Sequence, residues 1–364
     1  LMADLHDAGL VKLKLRELQP GEAMYLCHPL PHDELACFVA DSRELQVERI
    51  ATRALLRVSS PEQQAELLLR PFARLIDRAR VLRVLPSAKL RNIDFATLPY
   101  PAAPGQTGGG YLASEERLVV YALDLALGAR PAAASGAPKT LMLTNLGLEQ
   151  AQKSAPWIYG QLRLLGWDVA TYSNQQFELG SNPKRKLRCL LGLGECRPVL
   201  PLPFAPKLGS AAALKAALPT VELAQLDTHA IYNPESGWHS QIAMPNGSAL
   251  LLADLLLLER VPRWTVLMVC EGGAAGRGED ADDISLAQAL LLRGGEAVVA
   301  STRRLDDWLS GEWAQALYSA GSGGSPALSA AAPSLTAAFH TAQLALQKRR
   351  DPASAWSALR LFVP

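Results

Sequence analysis

Cysteine is scarce in this sequence. Its 364 residues include five, Cys27, Cys37, Cys189, Cys196 and Cys270, an odd and scattered set. That excludes a disulfide-built secreted scaffold and points to a reducing compartment, hence a cytoplasmic location. Net charge is nearly absent as well, at +1. No global field gathers nucleic acid or an anionic membrane, so direct nucleic-acid binding is not expected. Long apolar runs are missing: Leu250 to Leu258 is interrupted by Asp254, and no segment can span a bilayer. The opening Leu1-Met2-Ala3-Asp4 lacks signal-peptide character. With no methionine at position 1, the chain reads as a piece of something longer. No glycine-rich strand-to-helix loop fits a phosphate site, so no cofactor is expected. No solenoid period runs through the chain.

What is present is an ordinary soluble composition, 49% hydrophobic and 20% charged. The chain is long enough for one large core or two smaller ones. Ala23 to Cys27 and Glu34 to Val39 predict two strands of a hairpin around Pro29 to His32. Cys27, His28, His32 and Cys37 lack the tight spacing of zinc pairs. Adjacent Cys27 and His28 also point to opposite faces of a strand, so no metal is expected. Ser60-Pro61 reads as an N-cap and first helical residue, opening an apolar helical stripe through Leu67, Phe72, Leu75 and Ile76. Strands follow at 80–85 and 118–123.

The Ala/Pro/Gly/Ser-rich stretch 130–138 is the best internal boundary. It divides an N-terminal half, 1–135, from a half, 136–364, that keeps a strand–helix–strand rhythm. That rhythm predicts a parallel sheet with right-handed crossovers. The insertion 174–206, carrying the basic cluster Lys184 to Arg188, interrupts it.

Two predicted strands in that half end on reactive side chains. The strand 221–228 runs into His229, and the apolar strand 263–269 ends on Cys270, followed by Glu271-Gly272-Gly273. Buried parallel strands deliver such groups to the carboxyl edge of a sheet, where ligands bind. A thiol and an imidazole there suit a thiol hydrolase, whereas Cys270 alone would read as an inert core cysteine.

Four stretches together resemble the CHAT domain family, caspase-like peptidase modules often fused to tetratricopeptide repeats and related to caspases, metacaspases and separase. They are 84–98, from Val84-Leu85-Pro86 to Ile93-Asp94-Phe95; Leu226-Asp227-Thr228-His229-Ala230 with Ser240 and Leu250; Val266 to Gly273 with Gly294 to Ser301 downstream; and Asp351 to Trp356. The family usually has glycine where this chain has Ala230, and alanine where it has Val269. The resemblance implies a single α/β domain over 1–364, a caspase-like three-layer sandwich with a central, mostly parallel sheet flanked by helices. It also implies a regulated cysteine endopeptidase with Cys270 as nucleophile and His229 as acid/base. The backbone N–H groups of Ala230 and Cys270 would serve as oxyanion donors. A dyad leaves Asp227 without a role. The expected partners are a protein substrate and a fused or separate sensor module. The alternative is an inactive pseudopeptidase acting as an interaction scaffold.

In caspase-like enzymes the residue two before the cysteine lines the primary specificity pocket. Here it is Met268, which predicts an apolar or small substrate residue before the cut. The competing expectation is that acids elsewhere, such as Asp306 or Asp307, select charge. The glycine- and acid-rich loop 271–283, with Glu279, Asp280, Asp282 and Asp283, reads either as a loop that orders on activation or as a plain surface loop.

Overall fold

The computed structural model of the chain describes residues 13–15, 17–58, 60–85, 90–91, 93–101, 109–123, 126–128, 139–145, 148–173, 207–233, 237–244, 246–274, 284–319, 328, 334–349 and 353–364. Twelve strands form one sheet. In chain order they are β1 (Glu22–Leu30), β2 (Glu34–Asp41), β3 (Leu45–Ala51), β4 (Val81–Leu85), β5 (Leu118–Ala122), β6 (Lys139–Thr144), β7 (Asp168–Ser173), β8 (Lys207–Leu208), β9 (Leu223–Asp227), β10 (Trp264–Met268), β11 (Ala297–Ala300) and β12 (Arg360–Val363). Across the sheet the order is β8-β7-β6-β9-β10-β11-β12-β5-β4-β1-β2-β3. Neighbours run parallel except at β11–β12, β1–β2 and β2–β3.

Central strands β5, β9, β10 and β11 are buried along their whole length. That is why they read as continuous apolar runs rather than alternating ones. Helices flank the sheet: α1 (Thr52–Arg57), α2 (Pro61–Leu68), α3 (Ala73–Arg78), α4 (Glu149–Leu164), α5 (Ala211–Ala217), α6 (Leu252–Leu256), α7 (Leu286–Leu292), α8 (Asp307–Ser319) and α9 (Leu335–Lys348). Helices α4 and α9 both pack on α8, and α6 packs on α7. Stacked Trp313 and Phe339, with centroids 5.2 Å apart, join α8 to α9. Among the described residues no helix is long and apolar enough to cross a membrane.

Local chemistry explains several element ends. The Ser60 hydroxyl accepts from Gln63 N–H and caps α2, with Pro61 at the first position. The single helical stripe predicted beyond it is divided, because Pro71 imposes a 3₁₀ turn at Arg70–Phe72 between α2 and α3. Ser285 and Gln288 form a reciprocal capping box at the start of α7. The first hairpin turns later than predicted, at residues 31–33, where His32 and Asp33 adopt left-handed φ values of 65° and 57°.

Cys27 lies opposite Cys37 in the β1–β2 register, and the two form a disulfide. Five scattered cysteines gave no sign of this pairing, because only strand register brings the two together. One bridge over a hairpin closes a short loop and is not a disulfide framework. Cys27 is buried and His28 exposed, on opposite faces of β1. The insertion 174–206, with its basic cluster and Cys189 and Cys196, lies outside the described residues, as do Glu279, Asp280, Asp282 and Asp283.

Candidate active site

Strands β9 and β10 are parallel neighbours, with Asp227 paired to Met268 at their carboxyl ends. Two residues beyond that pair the chain reaches His229 on one side and Cys270 on the other. The two expected site residues therefore leave adjacent strands at the same sheet edge.

The backbone at His229 is clamped by a small antiparallel sheet of Ala230–Ile231, Gln241–Ala243 and Ala249–Leu251. Ala243 N–H donates to the His229 carbonyl at 2.8 Å, and the Thr228 hydroxyl donates to the Ala243 carbonyl at 2.8 Å. The imidazole of His229 is left exposed. Ala230, where the family usually has glycine, is the first residue of this small sheet, facing Ile242.

After Cys270 the chain reverses sharply. Glu271 adopts a left-handed φ of 54°, a strained state for a residue with a side chain. Such strain persists only where surrounding bonds over-determine it. Here Glu271 N–H donates to Arg303 O, Gly273 N–H to Ser301 O, and Ala287 N–H to Gly272 O, at 2.8–3.0 Å. The two glycines are dictated by crowding. A Cβ on Gly272 would sit 2.8 Å from Val269 Cγ2, and one on Gly273 2.6 Å from the Phe362 ring. Val269, larger than the family's usual alanine, crowds Gly272, so a side chain there would force one of the two to shift.

The half-buried Cys270 is the free thiol among the described residues. Its sulfur meets the backbone of Leu305, receiving that N–H at 3.4 Å and donating to the carbonyl at 3.6 Å. Among the described residues no hydrogen bond joins the thiol to His229. The segment 301–306, between β11 and α8, therefore holds both the thiol and the turn that follows it.

Beneath this edge lie two carboxylates. Asp227 is 4% exposed, and its Oδ1 lacks a hydrogen-bond partner. Burial first, then the charge of Asp307, pushes its carboxyl up to about 7. Asp307 opens α8 and accepts the Gln150 N–H at 2.9 Å. Since Leu148 offers no side-chain cap to α4, Asp307 serves as that cap from a neighbouring helix. Its Oδ1 is buried and likewise unpartnered. Asp227 was given no role from sequence, and Asp307 entered only with Asp306, as an acid that could select substrate charge. Nothing in the spacing of positions 227 and 307 signals that they meet.

Met268 is buried beside Asp227. Asp306 is exposed.

Strand order and helical layers define an α/β sandwich with a central, mostly parallel sheet flanked by helices. The chain belongs to the CHAT domain family, whose profile matches residues 62–363. Among solved structures, it is similar to separase in the Saccharomyces cerevisiae separase–securin complex, at 9% identity and a TM-score of 0.47. That match covers 78% of this chain and 15% of the separase chain. It is also similar to the Arg-specific cysteine proteinase gingipain R, at 10% identity and a TM-score of 0.46, covering 82% and 68% of the two chains. No curated protein matches.

Proposed function

We propose that this chain is a cysteine endopeptidase acting on a protein substrate through His229 and Cys270. The observation that carries this reading is the register. Both residues stand two positions past a paired Asp227 and Met268, at the carboxyl ends of adjacent parallel strands. In the reaction, His229 takes the Cys270 proton, the sulfur attacks the scissile carbonyl, and as the C–N bond breaks His229 gives that proton to the departing amine. Water, deprotonated by His229, then hydrolyses the thioester. The N–H groups of Ala230 and Cys270 are the proposed donors to the oxyanion. Met268 contributes an apolar wall to the substrate pocket.

The bonds between Cys270 and Leu305 describe a resting thiol, whose proton rests on a backbone carbonyl. Productive attack requires segment 301–306 to shift so that the thiol faces His229. A fused or separate sensor module acting on this segment is the proposed activator. A cytoplasmic location is part of the same reading, but the Cys27–Cys37 disulfide runs against the reducing compartment that scarce cysteines suggested.

The test is covalent labelling with a peptidyl electrophile, read by intact mass. Modification of Cys270 that falls at least tenfold in His229→Ala is expected. A Cys270 inert to peptidyl probes yet alkylated by iodoacetamide would instead mark a scaffold that has lost peptidase function.

A further inference from the structure

We propose that the outward face of the small sheet beside His229 binds the part of the substrate that leaves with the amine. It selects a large apolar side chain, aliphatic or aromatic, within the first two residues after the scissile bond. This rests on the peptidase reading above and concerns the other side of the cut from the one assigned to Met268.

The register places the face. Ala230 pairs with Ile242 and Ile242 with Leu250, and Ile242 and Leu250 are fully buried. That row anchors the small sheet on the core. Cross-strand partners point to the same side, and neighbours along a strand to opposite sides. The two flanking rows therefore point outward. Ile231, Gln241 and Leu251 form one of them. Ala243 and Ala249 form the other, and His229, whose carbonyl accepts the Ala243 N–H, extends it by one residue. The exposed imidazole thus shares one surface with the row of Ile231 and Leu251, about 7 Å further along the strand.

The composition of that surface is unusual. An antiparallel sheet with one face on the core normally turns a polar face to water. Here the outward positions besides His229 are Ile231, Gln241, Ala243, Ala249 and Leu251, of which Gln241 alone is polar. Ile231 is 55% and Leu251 42% exposed. Trp238, also exposed, lies in the 3₁₀ turn Gly237–His239, past the outer row on the chain that leads into Gln241. A single exposed leucine needs no explanation. An apolar row aligned with an exposed imidazole on one surface marks a binding face.

Chemistry identifies the occupant. His229 gives its proton to the departing amine, so the nitrogen of the first residue after the cut lies at the imidazole. An extended peptide rises about 3.3 Å per residue. Running along the strands, it passes within two residues from the row of His229 to the row of Ile231 and Leu251. The alanines leave room beside the scissile bond, and the larger side chains beyond them supply the contact. Neither row carries a carboxylate, a lysine or an arginine, so a charged substrate residue there would give up hydration without a counter-charge. A permanent partner on this face would also cover the imidazole, whereas a substrate segment occupies it only during turnover.

The test digests an unbiased peptide library in reducing buffer with the parent chain and with the double variant Ile231→Ser/Leu251→Ser, and reads the residues that follow each cut. Both positions are exposed, so serine removes contact area rather than core packing. A peptidyl electrophile ends at its warhead and reaches nothing past the cut, so its labelling of Cys270 reports whether the variant keeps an intact site. At one of the first two positions after the cut, the parent should favour leucine, isoleucine, phenylalanine or tryptophan over charged residues by about fivefold or more, the scale of half-burying one such side chain. The double variant should still label and should lose that preference. Leu164→Ser, which alters another exposed leucine on α4, should keep it. Cleavage by the parent with no apolar preference after the cut, or a preference that the labelled double variant retains, would overturn the assignment while leaving the peptidase reading intact. If the double variant fails to label, the profile of the parent alone decides. A parent that generates no new termini would overturn both.

Discussion

A carboxylate buried beside another carboxylate gives Asp227 a measurable signature. Its carboxyl titrates at about 7 in the folded chain, against about 4 when unfolded. Between those values the native state holds the extra proton, so stability falls as pH rises from about 4 to 7 and then levels off. The loss is on the order of 4 kcal/mol. Asp227→Asn should match the parent near pH 4 and exceed it in Tm at pH 8. A parent whose Tm shows no such relative decline would contradict the buried state of this group. Sequence reasoning named Cys270 and His229 because each ends a recognisable strand. It passed over Asp227 because the partner that gives this residue its character lies eighty residues away, at the head of helix α8.

The elements around the thiol were legible in kind but not in linkage. An apolar run ending in Cys-Glu-Gly-Gly announces a strand and a tight turn. It does not disclose that the turn is stitched to segment 301–306 by Glu271 N–H and Gly273 N–H. Gly273 is the sharpest test of that stitching. A methyl group there would press on the Phe362 ring from β12 at 2.6 Å, so Gly273→Ala should cost about 1–3 kcal/mol. It should also slow labelling of Cys270, since the displaced turn carries the nucleophile. An unchanged Tm and labelling rate would show that the turn yields without consequence. Glu271→Gly relieves the left-handed strain, which is worth about 1 kcal/mol, and should raise the Tm by a few degrees. A fall instead would mean that the Glu271 side chain contributes more than its backbone costs.

Across the whole molecule, β12 joins two sets of strands. It lies between β11 and β5, antiparallel to one and parallel to the other. Arg360 at its start ties the halves chemically. It donates to Arg91 O and Ile93 O at 3.3 Å, stacks over Tyr121 at 4.5 Å, and lies 3.9 Å from the Asp94 carboxylate. Tyr121 O–H donates to the same carboxylate at 3.0 Å. Residues 93–98 and the closing segment near Trp356 were recognisable as family stretches far apart in the chain. Their meeting was not, because a strand added to a sheet from the far terminus leaves no local periodicity. Arg360→Ala, which removes the bonds to Arg91 O and Ile93 O and the cation beside Asp94, should cost about 1–3 kcal/mol. Denaturant unfolding that places this variant within error of the parent would refute that linkage. The central claim, that this sheet edge cleaves peptide bonds, is tested most directly by incubating the chain and its Cys270→Ala variant with an unbiased peptide library in reducing buffer and reading new termini by mass spectrometry. The account predicts slow cleavage by the parent, whose thiol is mostly held on Leu305 without an activator, and none by the folded variant, since a thiol on a strand end contributes little packing. Equal cleavage by both, or a parent that generates no new termini, would contradict it.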